Sequence, residues 1–170
     1  MPTSEISFRA AETKVQTRSD LQKIVEEAKG QGKTVVFTNG CFDILHIGHV
    51  RYLQDARALG DMLVVGVNSD SSVSRLKGPE RPVVPEDERM EILAALECVS
   101  YVTLFNEDTP VELITAIKPN IHTKGGDYNP DDLPEADTVR AVGGRIELIP
   151  LNKTETHGRS TTRLIEKLRS

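Results

Sequence analysis

Two histidines, His46 and His49, lie close together in one loop of a chain that has four histidines in all. The loop begins at Asn39, after a short apolar stretch, and leads into a helical pattern. Side chains three residues apart in a first helical turn project from one face. Gly48 has no side chain, so a phosphate could approach the backbone N–H groups of that turn closely. The pattern indicates a polyphosphate site that stabilises charge on a reacting phosphate without a covalent intermediate.

Other interpretations of these residues are less favoured. A pair of ordinary surface or core histidines would leave the concentration of two imidazoles in one loop unexplained. A zinc site lacks a further Cys or His at the usual local spacing. The tripeptide Gly32-Lys33-Thr34 imitates the end of a Walker A motif, but position 27 is a glutamate and the tripeptide precedes a strand. The dinucleotide fingerprint G-x-G-x-x-G and the nucleophile elbow G-x-S-x-G are also missing.

Apolar strands alternate with helical patterns along the chain, and this alternation must position the loop. Predicted strands span 34–38, 62–67, 99–105, 121–123 and 146–151, and predicted helices span 19–30, 49–59, 87–96, 110–117, 136–142 and 161–168. A capping-box pattern at Ser19 and Gln22 marks the first helix. The prediction is an α/β fold with a Rossmann-like doubly wound sheet of about five mainly parallel strands and helices on both faces. Its ligand site should lie beyond the carboxyl ends of the strands.

The domain organisation follows from length and local composition. At 170 residues the chain is long enough to bury one sizeable core without disulfides or a structural metal. Residues 1–18 are interpreted as a polar N-terminal extension and 19–170 as a single domain. The segment 76–86 contains three prolines and is predicted to be a mobile loop that could act as a lid. Lys77 in this loop could fold over a triphosphate as a point charge.

Charge and cysteine content exclude several classes of protein. The formal net charge is −5, from 21 basic and 26 acidic residues, which argues against a nucleic-acid or membrane-surface partner. Two cysteines are too few for a disulfide scaffold and fit a reducing compartment. No apolar run of about 18 residues is present that could span a bilayer. We therefore expect a cytoplasmic protein.

The run Gly40-Cys41-Phe42-Asp43, followed by His46-Ile47-Gly48-His49, resembles the H-x-G-H motif of the cytidylyltransferase-like nucleotidyltransferases. The similarity extends from about Gly32 to the C-terminus. It includes Arg89, the run Lys124-Gly125-Gly126-Asp127-Tyr128 and the run Ser160-Thr161-Thr162. Within the family the chain most resembles the adenylyltransferases that make ADP-heptose from heptose 1-phosphate.

The resemblance implies a role for each matching residue. The residues expected to act in catalysis are His46, His49 and Lys77. Those expected to bind the nucleotide are Phe42, Gly48, Arg89, Gly126, Asp127, Ser160, Thr161 and Thr162, and those expected to bind the acceptor are Asn39, Gly40, Asp43 and Lys124. Mg²⁺ is the expected cofactor, held mainly by the ATP phosphates and not by protein ligands.

Alternatives within and outside the family remain open. Glycerol-3-phosphate cytidylyltransferases typically carry R-T-x-G-x-S-T-T near the end, whereas this chain has Glu155 where that motif begins with arginine. This departure and the Lys-Gly-Gly-Asp-Tyr run favour ATP and a heptose phosphate, and thus a role in lipopolysaccharide or related glycan synthesis. Another phosphorylated acceptor or nucleotide, and a non-catalytic ATP sensor, are the alternatives. The resemblance further implies a homo-oligomer, a dimer or larger, and a separate sugar kinase in the same pathway.

Overall fold

A five-stranded parallel sheet forms the centre of the protein in the computed structural model, which describes residues 9–126, 129–150 and 161–169. The strands are β1 (Val35–Gly40), β2 (Met62–Asn68), β3 (Tyr101–Phe105), β4 (Ile121–Gly125) and β5 (Arg145–Ile149). Their spatial order is β3-β2-β1-β4-β5, and every pairing is parallel. The predicted Rossmann-like α/β fold is confirmed. The chain reverses its direction across the sheet between β1 and β4, which is where such folds open a crevice for ligands.

Seven α-helices surround the sheet in the part of the chain that the structure describes. They are α1 (Arg18–Gly30), α2 (Ile47–Arg57), α3 (Asp70–Lys77), α4 (Glu86–Ala94), α5 (Val111–Ile117), α6 (Ala136–Ala141) and α7 (Thr161–Arg169). None of the described helices is long and apolar enough to cross a membrane.

Strand β1 is buried on both faces because helices pack on both sides of the sheet. Val36 faces a core cluster that includes Leu53 of α2 and Leu93 of α4. Phe37, one residue on, faces the opposite cluster with Leu21 of α1. Successive strand residues point to opposite faces, so a continuous apolar run is what a central parallel strand requires.

The structure corrects the predicted start of the first helix and adds a helix that was not predicted. The first helix is capped by Thr17 and not by Ser19, since the Thr17 hydroxyl accepts the backbone N–H of Asp20 at 3.1 Å. Helix α3 was not predicted, because its serine-rich sequence buries a single apolar side chain, Val73. The proline-rich loop therefore begins at Gly78 and not at position 76.

Part of the predicted N-terminal extension lies against the edge of the sheet. Val15 forms a parallel bridge with Val102 of β3, and the Gln16 N–H donates to the Val102 carbonyl at 2.9 Å. The ammonium of Lys14 is buried and donates to the Leu96 carbonyl at 3.1 Å. Burial lowers the pKa of Lys14. This segment covers the outer edge of β3.

Candidate active site

A cleft of about 800 Å³ opens at the carboxyl ends of the strands, where β1 and β4 diverge. The segments that follow β1, β2, β3 and β4 and the first residue of α7 all contribute to its walls. Ten residues predicted for the site line the cleft: Asn39, Gly40, Phe42, Asp43, His46, Gly48, His49, Lys77, Lys124 and Thr161. The order of the strands, which the sequence alone does not give, brings these distant residues together.

The two histidines cap the helix on which they lie. The Nδ1 atom of His46 accepts the Gly48 N–H at 3.1 Å, and the Nδ1 atom of His49 accepts the His46 N–H at 3.3 Å. The ring centroids are 4.0 Å apart. The first N–H groups of a helix have no partner within the helix, so imidazole nitrogens here take the place of the usual hydroxyl or carboxylate caps.

This capping arrangement fixes the protonation of the imidazoles. An Nδ1 atom that accepts a hydrogen bond carries no proton, so the neutral ring holds its proton on Nε2. Burial and the nearby His46 lower the pKa of His49 to about 4. At neutral pH His49 is thus an uncharged hydrogen-bond donor on the cleft wall.

Tyr52, one helical turn beyond His49, fixes α2 over the seam between β1 and β4. Its hydroxyl lies 2.7 Å from the Thr38 hydroxyl on β1 and 2.9 Å from the Thr123 hydroxyl on β4. The Thr38 hydroxyl also donates to the Thr123 carbonyl at 3.2 Å. All three side chains are buried. The network places the start of α2, and with it the histidine pair, at the point where the strands diverge.

Phe42 shapes the loop between β1 and α2. It is buried and has a left-handed backbone with φ of 47°, which L side chains rarely adopt. Its ring lies edge-on to His49, with centroids 5.5 Å apart. A Cβ atom at position 40 would lie 3.1 Å from this ring, so Gly40 leaves room for Phe42 to pack there. Backbone strain at one position is offset by packing that supports His49.

Asp43 anchors the proline-rich loop, which runs from Gly78 to Pro85. Its buried carboxylate accepts hydrogen bonds from the Arg81 guanidinium, from the Val83 N–H at 2.8 Å and from the Val84 N–H at 3.0 Å. The loop expected to be mobile is therefore tied to the segment after β1. Asp43 was expected to bind the acceptor, and in the structure its oxygens bind the loop that follows Lys77.

Arg89 lies beneath the cleft and not on its wall. Its guanidinium is fully buried and donates to the carbonyls of Cys41, Val84 and Asn68 and to the Asp70 carboxylate. Arg89 is not among the residues that line the cleft, and its contact with a nucleotide stays a prediction. Arg89 instead joins the loop after β1 to the end of β2.

Three cationic side chains of the described residues line the cleft, namely Lys77, Arg81 and Lys124. Arg81 pairs with Asp43, and Lys124 pairs with a carboxylate on the segment before α6. No carboxylate of the described residues forms an ion pair with the exposed Lys77. Lys77 is therefore a cleft cation whose charge no carboxylate of the described residues offsets.

The remaining predicted residues lie after β4 and at the start of α7, and the structure describes only some of them. Gly126 has φ of 131° and donates its N–H to the Ile149 carbonyl at 3.1 Å, which ties β4 to β5 outside the cleft lining. The Thr161 hydroxyl donates to the Ile44 carbonyl at 3.2 Å. Asp127 and Ser160 lie outside the described residues, and Thr162 is described only as part of α7.

Several residues that line the cleft were not predicted from the sequence. They are Cys41, Tyr52, Asn68, Leu76, Arg81, Asp108, Thr109, Pro110, Gly125, Leu133, Pro134 and Glu135. The position of Asn68 at the end of β2 and of 108–110 shortly after β3 was the available signal, because the carboxyl ends of parallel strands meet at one edge. Nothing in the local sequence marks Glu135, which reaches the cleft only through the path of the chain after β4.

Comparison with known proteins identifies the family. Residues 37–167 match the family model described as cytidylyltransferase-like. The chain is 54% identical over 163 residues to "Bifunctional protein HldE" of Trichlorobacter lovleyi and 55% identical over 157 residues to the protein of that name from Syntrophotalea carbinolica. These alignments cover 96% and 92% of this chain but 32% and 31% of the relatives, so the chain spans about a third of their length.

Solved structures agree with this assignment. A lipopolysaccharide core biosynthesis protein from Thermoplasma volcanium is 30% identical, with a TM-score of 0.57 over 70% of this chain and 96% of that one. A pantoate-beta-alanine ligase from Francisella tularensis, 13% identical over 80% of this chain and 66% of that one, shares the fold with a TM-score of 0.56. Together with the cleft, these matches define a nucleotide-transferring enzyme. The chain belongs to the cytidylyltransferase-like family and is a nucleotidyltransferase.

Replacing Asp43 by Asn should loosen the proline-rich loop. The amide keeps one acceptor oxygen but loses the negative charge that pairs with Arg81, and unsatisfied buried partners cost about 1–3 kcal/mol. We expect the Val83 and Val84 amides to exchange hydrogen at least roughly tenfold faster. Asp61→Asn is the matched control, because Asp61 also accepts a backbone N–H, that of Thr34, away from the loop. Equal exchange rates in wild type and Asp43→Asn would contradict the anchoring role.

His49 should titrate with a midpoint near pH 4, with the proton on Nε2 above that pH. The measurement is the NMR titration of the imidazole nitrogens. Because the unfolded chain binds a proton at this site already near pH 6.5, the free energy of unfolding should fall as the pH decreases from 6.5 to 4. A midpoint near 6.5, or a proton on Nδ1, would contradict the proposed capping geometry.

Proposed function

We propose that this protein transfers AMP from ATP to the phosphate of a heptose 1-phosphate, forming ADP-heptose and releasing pyrophosphate. An oxygen of the sugar phosphate attacks the α-phosphorus, a new P–O bond forms, and the bond to the β-phosphate breaks as pyrophosphate leaves. The observation that carries the proposal is the reciprocal cap of His46 and His49 at the start of α2. The similar protein from Thermoplasma volcanium is a lipopolysaccharide core biosynthesis protein, which supports a glycan precursor as product.

The cleft supports this reaction by alignment and charge stabilisation alone. The attacking phosphate is already anionic, so no general base is needed, and the charge that moves to pyrophosphate requires hydrogen-bond donors and cations. Neutral imidazole N–H groups and the helix N-terminus donate without the cost of burying two positive charges side by side. Lys77, which has no ion pair with a described carboxylate, adds a positive charge at another wall of the cleft.

Mg²⁺ fits this site as a companion of ATP. The carboxylates that line the cleft belong to Asp43, Asp108 and Glu135, and each of them pairs with a cation of the chain. No group of three or more potential metal ligands is present among the described residues. These observations support the proposal that the ATP phosphates hold the ion, which neutralises phosphate charge when bound.

Pyrophosphate release should require ATP together with heptose 1-phosphate. The test crosses ATP, CTP and GTP with heptose 1-phosphate and glycerol 3-phosphate in the presence of Mg²⁺. We expect release with the first pair at least roughly a hundredfold faster than with any other, the discrimination that unpaired polar groups in a wrong complex impose. Release with CTP and glycerol 3-phosphate would instead show a cytidylyltransferase. ATP binding without release in any pairing would favour a sensor.

Variants that keep the caps should separate catalysis from folding. Asparagine at position 46 and glutamine at position 49 retain an acceptor for the helix N–H groups but lose the imidazole. We expect His46→Asn and His49→Gln each to lower kcat by roughly 10²- to 10³-fold, the cost of one lost transition-state donor. The melting temperature reports the fold and should change little. Turnover at the wild-type rate in His49→Gln would contradict the mechanism.

A further inference from the structure

A buried carboxylate forms part of the wall of the cleft where β4 ends. Glu135, the residue before α6, has a side chain only 2% exposed. Its Oε1 atom lies 3.0 Å from Nε2 of His122 and 3.2 Å from Nζ of Lys124. The Lys124 ammonium also donates to Oδ1 of Asn39 at 3.1 Å. One ammonium is thus held between β1, which carries Asn39, and the segment before α6.

The charges in this network are defined by its contacts. Burial alone would raise the pKa of Glu135, but the hydrogen bond from His122 and the positive charge of Lys124 outweigh it and bring the pKa to about 2. Burial lowers the pKa of His122, which has no exposed surface and stacks on Phe37 with centroids 5.4 Å apart. At neutral pH the network therefore contains one carboxylate, one ammonium and one neutral imidazole that donates from Nε2.

The stability of the fold alone does not explain why the charged pair of Glu135 and Lys124 is present at this position. Taking a carboxylate out of water is costly, and an ion pair of this kind often stabilises a fold no better than well-packed apolar residues. The Lys124 side chain, however, is 23% exposed and lines the cleft, whereas Glu135 is almost fully buried. The pair has one member that is almost fully buried and one member that is partly exposed to a ligand in the cleft.

We propose that Glu135 is a positioning residue, which acts through Lys124 to hold the ammonium where it binds the phosphate of the acceptor. The proposal rests on the proposed function and deepens it. The ammonium has three donors, and Glu135 and Asn39 take two of them, which restricts the rotation of a side chain that is otherwise flexible. No other acceptor among the described residues contacts the ammonium, so its third donor is available to a ligand. A cation fixed before binding pays less entropy when the ligand arrives.

Simple electrostatics and positioning predict opposite effects of neutralising Glu135. If the carboxylate only offset the charge of Lys124, its removal would raise the positive potential of the cleft and strengthen the binding of an anion. If it positions Lys124, its removal frees the ammonium and weakens that binding. The two substitutions Glu135→Gln and Glu135→Asp separate charge from reach, because glutamine keeps the length and aspartate keeps the charge.

The experiment measures KM for heptose 1-phosphate and kcat at saturating MgATP, with calorimetric binding of heptose 1-phosphate alongside. We expect both substitutions to raise KM by roughly ten- to a hundredfold, as displaced positioning groups do, with a smaller effect on kcat. In a Lys124→Met background, Glu135→Gln should have no further effect on KM, because the carboxylate then has no ammonium to hold. Asp137→Asn is the matched control, since Asp137 is a fully exposed carboxylate on the neighbouring helix.

Each outcome decides the proposal. Unchanged or tighter binding in Glu135→Gln, or additive losses in the double variant, would overturn it. If Glu135→Gln fails to fold, as its melting temperature would show, Glu135→Asp and the same cycle with aspartate decide the question. If the wild type is active and the Glu135 variants have its KM, the positioning role is contradicted but the proposed function is not. A wild type that neither turns over nor binds the sugar phosphate contradicts the proposed function as well.

Discussion

The start of α2 has N–H groups that no backbone carbonyl of the helix can accept, and the site depends on which side chains accept them. His46 and His49 provide the acceptors through Nδ1, which leaves both protons on Nε2. An ionised aspartate would also cap the helix but would offer no donor. In each ring Nδ1 meets the folding requirement and Nε2 is the donor that the proposed reaction needs, so each histidine combines a structural role with its proposed catalytic role.

The seam between β1 and β4 supplies the geometry that this helix start requires. Tyr52 of α2 contacts side chains of both strands. At the strand ends, Lys124 contacts both Asn39 and Glu135. On the other side of β1, Asp43 fixes the loop that follows Lys77. Polar contacts between elements far apart in sequence thus surround the cleft, while apolar contacts fill the two core layers. The polar contacts therefore fix the shape of the cleft, and the apolar contacts stabilise the two core layers.

The sequence was sufficient for the fold class and for the histidine loop, because strand periodicity and the loop's spacing are local signals. It was not sufficient for the contacts that only the strand order creates. Arg89 matched a family pattern yet is buried under the loop, and Asp43 binds the proline-rich loop. Glu135 was missed because its neighbours His122 and Lys124 lie on a strand, and the chain between them and Glu135 gives no periodic signal. Local propensity likewise missed α3, whose helix depends on tertiary contacts.

The segment that bridges Val15 to Val102 has a consequence for the behaviour of the protein at high concentration. An uncovered outer strand presents unpaired N–H and C=O groups, which template pairing between molecules. Here the backbone of residues 15 and 16 occupies part of that edge on β3, and the buried Lys14 places a charged residue next to it. A parallel sheet forms slowly because its contacts are distant in sequence. The segment around Val15 therefore shortens the stretch of one sheet edge, at β3, to which a second molecule could add.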